Sequence, residues 1–270
     1  MSMKVYSRRQ LMAKAPKPYN EQYLTFTALE SGTFTLSRNA VNYSLDEGIT
    51  WTSLAAGTAS PTVAAGHTIM WKATITPGST TGVGTFSATG SFNVWGNAMS
   101  LLFGDNFARV KTLSGKNGAF YNLFLNNKKL VSAENLSLPA LTMVQNGYRS
   151  MFQGCSNLVY PPELPATTIK TSATYCYDSM FKGCTSLTTA PVLPATTLAA
   201  YCCYQYMFRG CTSLNYIKAM FTTKPSTNYT NNWVSGVAST GTFVKNSAAT
   251  WNVTGVNGVP TGWTVQTADE

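Results

Sequence analysis

Acid–base chemistry has little to work with in this chain. His67 is its one histidine, and only four Asp and six Glu occur among 270 residues. Hydrolytic and proton-transfer sites draw on histidine or on carboxylates placed close together. No such constellation is suggested by the spacing, so no catalytic residue is assigned. His67, beside Gly66, reads as a turn residue. All six cysteines fall between Cys155 and Cys211, with no C-x2-C pair and no histidine among them. Zinc is therefore not expected, nor is any other metal or a cofactor. Cys155, Cys184 and Cys211 share one phase of a repeat, Cys176 and Cys203 share another, and Cys202 is extra. Stacked, they read most simply as columns of small, buried, apolar residues. Disulfides between column neighbours are the alternative, although three cysteines in one column cannot all pair.

The bulk composition agrees with a non-enzyme. Hydrophobic residues reach 44%, enough for a substantial core, while charged residues are only 11%, against the usual quarter or so. Thr (38) and Ser (24) supply the polarity. With 12% aromatics and 21 Gly, this suits a β-rich extracellular or virion surface. It argues against a cytosolic metabolic enzyme and against disorder. No run approaches the ~18 apolar residues of a membrane span.

The net charge of +9 is unevenly placed. Lys4, Arg8, Arg9, Lys14 and Lys17 all lie in residues 1–20, with no acid among them, leaving +4 on the other 250 residues. This segment reads as a docking arm for an acidic partner surface or as a solvated extension. A nucleic-acid binder spreads basic residues over a folded face interleaved with aromatics, and none is expected here. Ser7-Arg8-Arg9-Gln10-Leu11 resembles the opening of a twin-arginine export signal. It runs into Ala13-Lys14-Ala15-Pro16 rather than an apolar segment, so export by this N-terminus is not expected.

The elements that would carry any site come in two kinds. Residues 21–96 read as strands: Tyr23 to Thr27 and Thr33 to Leu36 alternate around Glu30-Ser31-Gly32, a hairpin signature. Ala40 to Leu45, Thr50 to Leu54, Thr68 to Ile75 and Gly84 to Val94 follow at short intervals, which favours a small antiparallel sandwich. Inside lies Ser44-Leu45-Asp46-Glu47-Gly48-Ile49-Thr50-Trp51. It resembles the Asp-box hairpin of sialidases and other β-propellers, whose Ser44, Asp46, Gly48, Thr50 and Trp51 would have a structural role. Asp and Ser would bond turn amides, Gly would take the positive φ, and Trp would pack beneath. A sialidase would repeat the box and add an arginine cluster, but this chain has one copy.

The middle of the chain repeats itself. Phe124, Phe152, Phe181 and Phe208 recur at intervals of 28, 29 and 27. Each is preceded four positions earlier by an aromatic (Phe120, Tyr148, Tyr177, Tyr204) and followed six later by a leucine (Leu130, Leu158, Leu187, Leu214). Tyr177, Met180, Phe181 and Cys184 fall at i, i+3, i+4 and i+7, which predicts an apolar helical stripe capped by Gly183. A short strand then follows in each unit. Such units cannot bury their faces alone and must stack as a solenoid.

The segments MFKGCTSLTTAPVLPATTL and MFRGCTSLNYIK resemble the BspA-like leucine-rich repeat of gut-bacterial surface proteins and their phages. The flanking segments are similar to the flanks of such proteins, while Asn126-Asn127 depart from the repeat's Gly-Cys pair, as a terminal unit would. The expected fold class is mixed β and α/β. It comprises a basic arm over 1–20, an N-terminal antiparallel β-sandwich over 21–97, a short BspA-like leucine-rich-repeat solenoid over 98–220 and a β-rich C-terminal cap over 221–270. The resemblance implies adhesion or surface display. The expected function is a non-enzymatic phage virion appendage, a head or tail fibre or decoration on the virion surface. A bacterial cell-surface adhesin is the alternative, and a carbohydrate-active enzyme the weakest reading. Expected partners are other virion proteins through the arm and a host surface glycan or protein. Any homo-oligomer and the ligand-binding residues are left unassigned.

Overall fold

Leu24, Phe26 and Ala28 point to one side of their strand and are fully buried, and there Phe26 meets Phe34, Trp71, Phe86 and Phe92 from other segments. In a computed structural model, residues 18–223 and 225–268 are described. Lys4, Arg8, Arg9, Lys14 and Lys17 of the expected arm lie outside them. The N-terminal strands are β1 (Leu24–Ala28), β2 (Phe34–Leu36), β3 (Val41–Ser44), β4 (Thr52–Leu54), β5 (Thr68–Lys72), β6 (Phe86–Ala88) and β7 (Phe92–Asn97). One sheet runs β4-β3-β5-β1-β7 and is antiparallel throughout that stretch. β2 and β6 form a second, two-stranded antiparallel sheet.

The expected hairpin between β1 and β2 does not form. β1 pairs with β5 and β7, and β2 with β6. The Glu30-Ser31-Gly32 turn instead carries the chain from one sheet to the other, where Phe26 and Phe34 meet with ring centroids 5.2 Å apart. Two apolar faces gain more burial by covering one another than by lying side by side in one sheet. Gly84 to Val94, read as one strand-like run, is divided between β6 and β7. The four-residue helix α1 (Ser100–Phe103) follows, and its Ser100 Oγ accepts from Leu24 N–H at 3.0 Å and donates to the Trp71 carbonyl at 2.9 Å.

β7 joins the two kinds of architecture. It is antiparallel to β1 but parallel to β8 (Leu130–Ser132) and β9 (Leu136–Ser137). The sheet thus crosses residue 97 into the repeats without a break. From there the C-terminal part is a β-solenoid of about four turns. Its later strands are β10 (Thr168–Ile169) with β11 (Thr197–Leu198), then β12 (Tyr216–Ala219), β13 (Thr242–Lys245) and β14 (Thr264–Thr267), all paired in parallel.

The helix expected in each unit is replaced by a flat ribbon of turns. Every second amide from 146 to 154 donates to a carbonyl of the next coil: Tyr148 to Cys176, Ser150 to Asp178, Phe152 to Met180, Gly154 to Lys182. The amides between them close local turns three residues back, as Met151 does to Tyr148 and Cys155 to Phe152. An α-helix would spend its amides within itself, whereas this ribbon uses half of them to bond coil to coil. Left-handed residues recur every four positions, at Asn146, Ser150 and Gly154 (φ 55°, 52° and 74°) and again at Tyr175, Ser179 and Gly183 (φ 57°, 56° and 75°). A four-residue repeat places i, i+3, i+4 and i+7 on one side, which is why the spacing read as helical.

The inward positions stack into ladders. Phe124, Phe152, Phe181 and Phe208 lie 5.5, 5.5 and 5.8 Å apart with ring planes within 13°. Phe120, Tyr148, Tyr177 and Tyr204 form a second column at 5.7 to 5.8 Å. Trp233 meets the ends of both, at 6.4 Å from Tyr204 and 6.2 Å from Phe208. At the other end, Phe124 packs on Phe26 and Phe86 of the N-terminal sheets, so the apolar core is continuous from Leu24 to Trp263. The ribbon runs on past residue 220: the amides of Phe208 and Gly210 donate to Trp233 and Ser235.

The cysteines belong to this core. All six are free thiols and buried. Cys155, Cys184 and Cys211 each donate to a carbonyl of the preceding coil, Phe124, Phe152 and Phe181, at 3.0 to 3.1 Å. Burial pushes the thiols of Cys155 and Cys211 up to about 12 and that of Cys184 well above its ordinary value. They are therefore protonated and unreactive at neutral pH. Native protein should label only slowly with a thiol reagent, while denatured protein without reductant should titrate close to six thiols. A count near zero or two would reinstate disulfides. Cys184→Ser should cost about 1–2 kcal/mol, since the hydroxyl inherits the Phe152 carbonyl but buries less apolar surface.

Candidate functional site

Two places concentrate polar and aromatic side chains. The first is the turn between β3 and β4, where all five residues picked out in the sequence come together. Ser44 Oγ accepts from the Gly48 amide at 2.8 Å and donates to Asp46 Oδ1 at 2.6 Å. Asp46 accepts from the Thr50 amide at 2.9 Å and from its hydroxyl at 2.5 Å. Glu47 and Gly48 take φ of 59° and 87°, and the Trp51 indole donates to the Gly48 carbonyl at 3.1 Å. The hairpin is then fastened to the sheet through its tryptophan. Tyr23 meets Trp51 edge-on at 4.8 Å, and the Lys72 ammonium lies 4.3 Å over the indole while pairing with Asp105 at 2.8 Å. Partial burial, with help from a 2.7 Å bond to Asp105, raises the Tyr23 hydroxyl to about 12.

This arrangement spends its polar groups on its own backbone. The hydroxyls of Ser44 and Thr50 and the Thr50 amide hold the Asp46 carboxyl down to about 2. It is an ionised acceptor with its lone pairs occupied, not a proton donor. Because the folded value lies below the ordinary ~3.9, the hairpin's stabilisation is present above about pH 4 and fades as pH falls toward 2. Asp46→Asn should remove that dependence. A carboxyl titration of the hairpin followed by NMR checks it, and a midpoint near 4 would contradict the bonded geometry. His67 sits apart and exposed, its Nδ1 3.3 Å from the Ala65 carbonyl.

The second place is the outer face of the turn ribbon, a shallow trough of 540 Å³ crossing several coils. Its rings are Tyr121, Tyr175, Tyr201 and Tyr206, and its cations Arg149 and Lys182, with Arg209 alongside. The Arg149 guanidinium lies 4.8 Å from the Tyr175 ring and 5.7 Å from Tyr121, and its Nε is 3.0 Å from Asp178 Oδ2. Arg209 and Lys182 flank Tyr206 at 5.3 and 5.7 Å. Asp178 is 4% exposed in its side chain. Burial raises its carboxyl above the ordinary value, opposed by the Ser179 hydroxyl at 2.8 Å and by Arg149.

None of these residues was singled out in the sequence, yet a signal exists. Counting from each ladder phenylalanine, the positions three before it read Tyr121, Arg149, Asp178 and Gln205, and those one after read Leu125, Gln153, Lys182 and Arg209. They vary from unit to unit while their apolar neighbours repeat, as expected of the outward side of a stacked ribbon. Among the described residues, no group of three or more His, Cys, Asp or Glu could hold a metal ion, and no helix is long and apolar enough to cross a membrane. No protein-family model matches the chain, no curated protein matches it, and no solved structure matches its fold.

Proposed function

We propose that this chain is a non-enzymatic display and adhesion protein, a virion appendage whose turn ribbon presents a binding face. The observation that carries the binding role is the trough of Tyr175, Tyr201, Tyr206 and Arg149, set on a ribbon bonded coil to coil. Rigid aromatic and arginine side chains on a fixed scaffold are the usual material of recognition surfaces. The virion assignment rests on the BspA-like resemblance and on the charge of residues 1–20. In this reading the two N-terminal sheets form a sandwich, the coils are leucine-rich repeats of the BspA-like type, and Lys4, Arg8, Arg9, Lys14 and Lys17 dock on the particle.

Immunogold labelling of particles and cells from the source culture tests the assignment. Label on phage heads or tails supports it, and label confined to bacterial envelopes replaces it with a cell-surface adhesin. A screen against sialosides and common polysaccharides should find no turnover. Hydrolysis that vanishes in Asp46→Asn would overturn the non-enzyme reading.

A further inference from the structure

We propose that the outer face of the turn ribbon binds an acidic, uronate-type polysaccharide laid along the stacking direction of the coils. The inference rests on the display reading above and gives it a ligand class.

Charge comes first. Arg149, Lys182 and Arg209 gather on this face, and the one carboxylate in the trough, Asp178, is buried and already paired with Arg149. Among the described residues no carboxylate lies within ion-pair distance of Lys182 or Arg209. Asp178, which feels both Arg149 and Lys182, is the one carboxylate set against these three cations, so the face keeps a net positive potential toward solvent, which favours an anionic partner. Arg209 is exposed, and its planar guanidinium can take a carboxylate through two parallel N–H bonds.

The rings narrow the partner further. Tyrosine faces pack against the C–H faces of pyranose rings, and the amides of Gln153 and Gln205 offer both donors and acceptors to hydroxyls. The backbone also places two rings where side chains are disfavoured. Tyr175 and Tyr206 have φ of 57° and 53°, at ribbon positions that other coils fill with Gly118, Asn146 and Cys202 or with Asn122, Ser150 and Ser179. The ribbon imposes that conformation in every coil, and in these two it holds a ring on the outer face.

Shape and step agree with a chain-like ligand. The trough is open and shallow rather than enclosed, and it crosses coils whose ladder rings step by 5.5 to 5.8 Å. The coils are bonded to one another by backbone rungs about 4.8 Å apart, so a chain-like ligand lying along the stack meets several of them in turn. Duplex nucleic acid, with a charge every ~1.7 Å of axis, asks for far more cations than this face holds.

The test is calorimetry on the full chain with a galacturonate oligomer, its methyl-esterified form and poly-glutamate. The galacturonate oligomer should bind, and methyl esterification should weaken it by about tenfold or more. A variant carrying Lys182→Gln and Arg209→Gln should lose a similar factor and most of the salt dependence. Tyr201→Ala, at a half-exposed ring that meets Tyr175 edge-on at 5.6 Å, should lose about tenfold in binding while lowering the melting temperature by no more than a few degrees. Equal binding of the esterified oligomer, no binding of the acidic one, or indifference to these substitutions overturns the proposal. Poly-glutamate binding as tightly as galacturonate overturns it in favour of an acidic peptide. If labelled chain still adheres to host cells in any of those cases, the display reading stands without this ligand. If uronate binding holds but immunogold finds the protein on neither particles nor envelopes, the display reading fails alone.

Discussion

Phe181→Ala should destabilise the protein by about 3–5 kcal/mol, the range for truncating a fully buried aromatic. Phe181 is inaccessible to solvent and stands between Phe152 at 5.5 Å and Phe208 at 5.8 Å, nearly parallel to both. Its amide donates to Met207 and its carbonyl accepts the Cys211 thiol, so the backbone on each side is pinned to a neighbouring coil. The cavity left by the ring cannot close unless a whole coil shifts, and such a shift would break the rungs it carries. Each coil also relies on the next for its buried face, so the loss should reach the entire stack. Denaturant unfolding measures it, with Val192→Ala as control: that side chain is 47% exposed, and its loss should stay within about 0.5 kcal/mol. A cost below about 1 kcal/mol at Phe181 would mean that the ladder is loosely packed and not the spine of the solenoid.

What was legible in the sequence was whatever is local or periodic. The Ser44–Trp51 turn is closed by partners at most four residues apart, so its geometry is contained in its own octet. The ladder columns followed from intervals of 28, 29 and 27. The stripe reads as helical because eight residues are too few to separate a 3.6-residue period from a four-residue one. The deciding signal was the third column, Asn146-Ser150-Gly154 and Asn122-Asn126, which repeats left-handed-tolerant residues every four positions. In a helix those residues would be poor choices. Tyr175, Cys202 and Tyr206 interrupt the series and mask it. The β1–β2 pairing failed for a different reason. Alternation around a turn describes two strands equally well whether they share a sheet or face each other, and what distinguishes them is the distant partners they bond, β5 and β7 for β1 and β6 for β2. The ribbon face is built from the positions that vary between units, Tyr121, Arg149, Asp178 and Gln205 among them, so no periodicity marks it.

The two glycines Gly96 and Gly183 should respond very differently to the same change. Both hold positive φ, 80° and 75°, so alanine at either pays the left-handed penalty of about 1–2 kcal/mol. At Gly183 that is nearly the whole cost, because an added Cβ would find the Gly154 Cα at 3.8 Å, an ordinary contact. At Gly96 the Cβ would fall onto the Tyr23 carbonyl, which is backbone and cannot turn aside. Neighbouring groups leave it no room to move. The Gly96 amide donates to Asn135 at 3.1 Å and the Asn97 amide to Gln22 at 2.8 Å, while Gly96 pairs with Leu136 where the antiparallel sheet becomes parallel. Relieving the clash would separate β7 from the chain entering β1, the strand contact through which the solenoid is joined to the N-terminal sheets. Gly183→Ala should therefore cost about 1–2 kcal/mol and leave a single unfolding transition, whereas Gly96→Ala should exceed about 4 kcal/mol, a loss confined to severe steric or core defects. Thermal and urea unfolding of the two variants side by side makes the comparison. Equal losses would mean that φ alone sets the cost and that the close approach of Tyr23 to β7 does not constrain the fold.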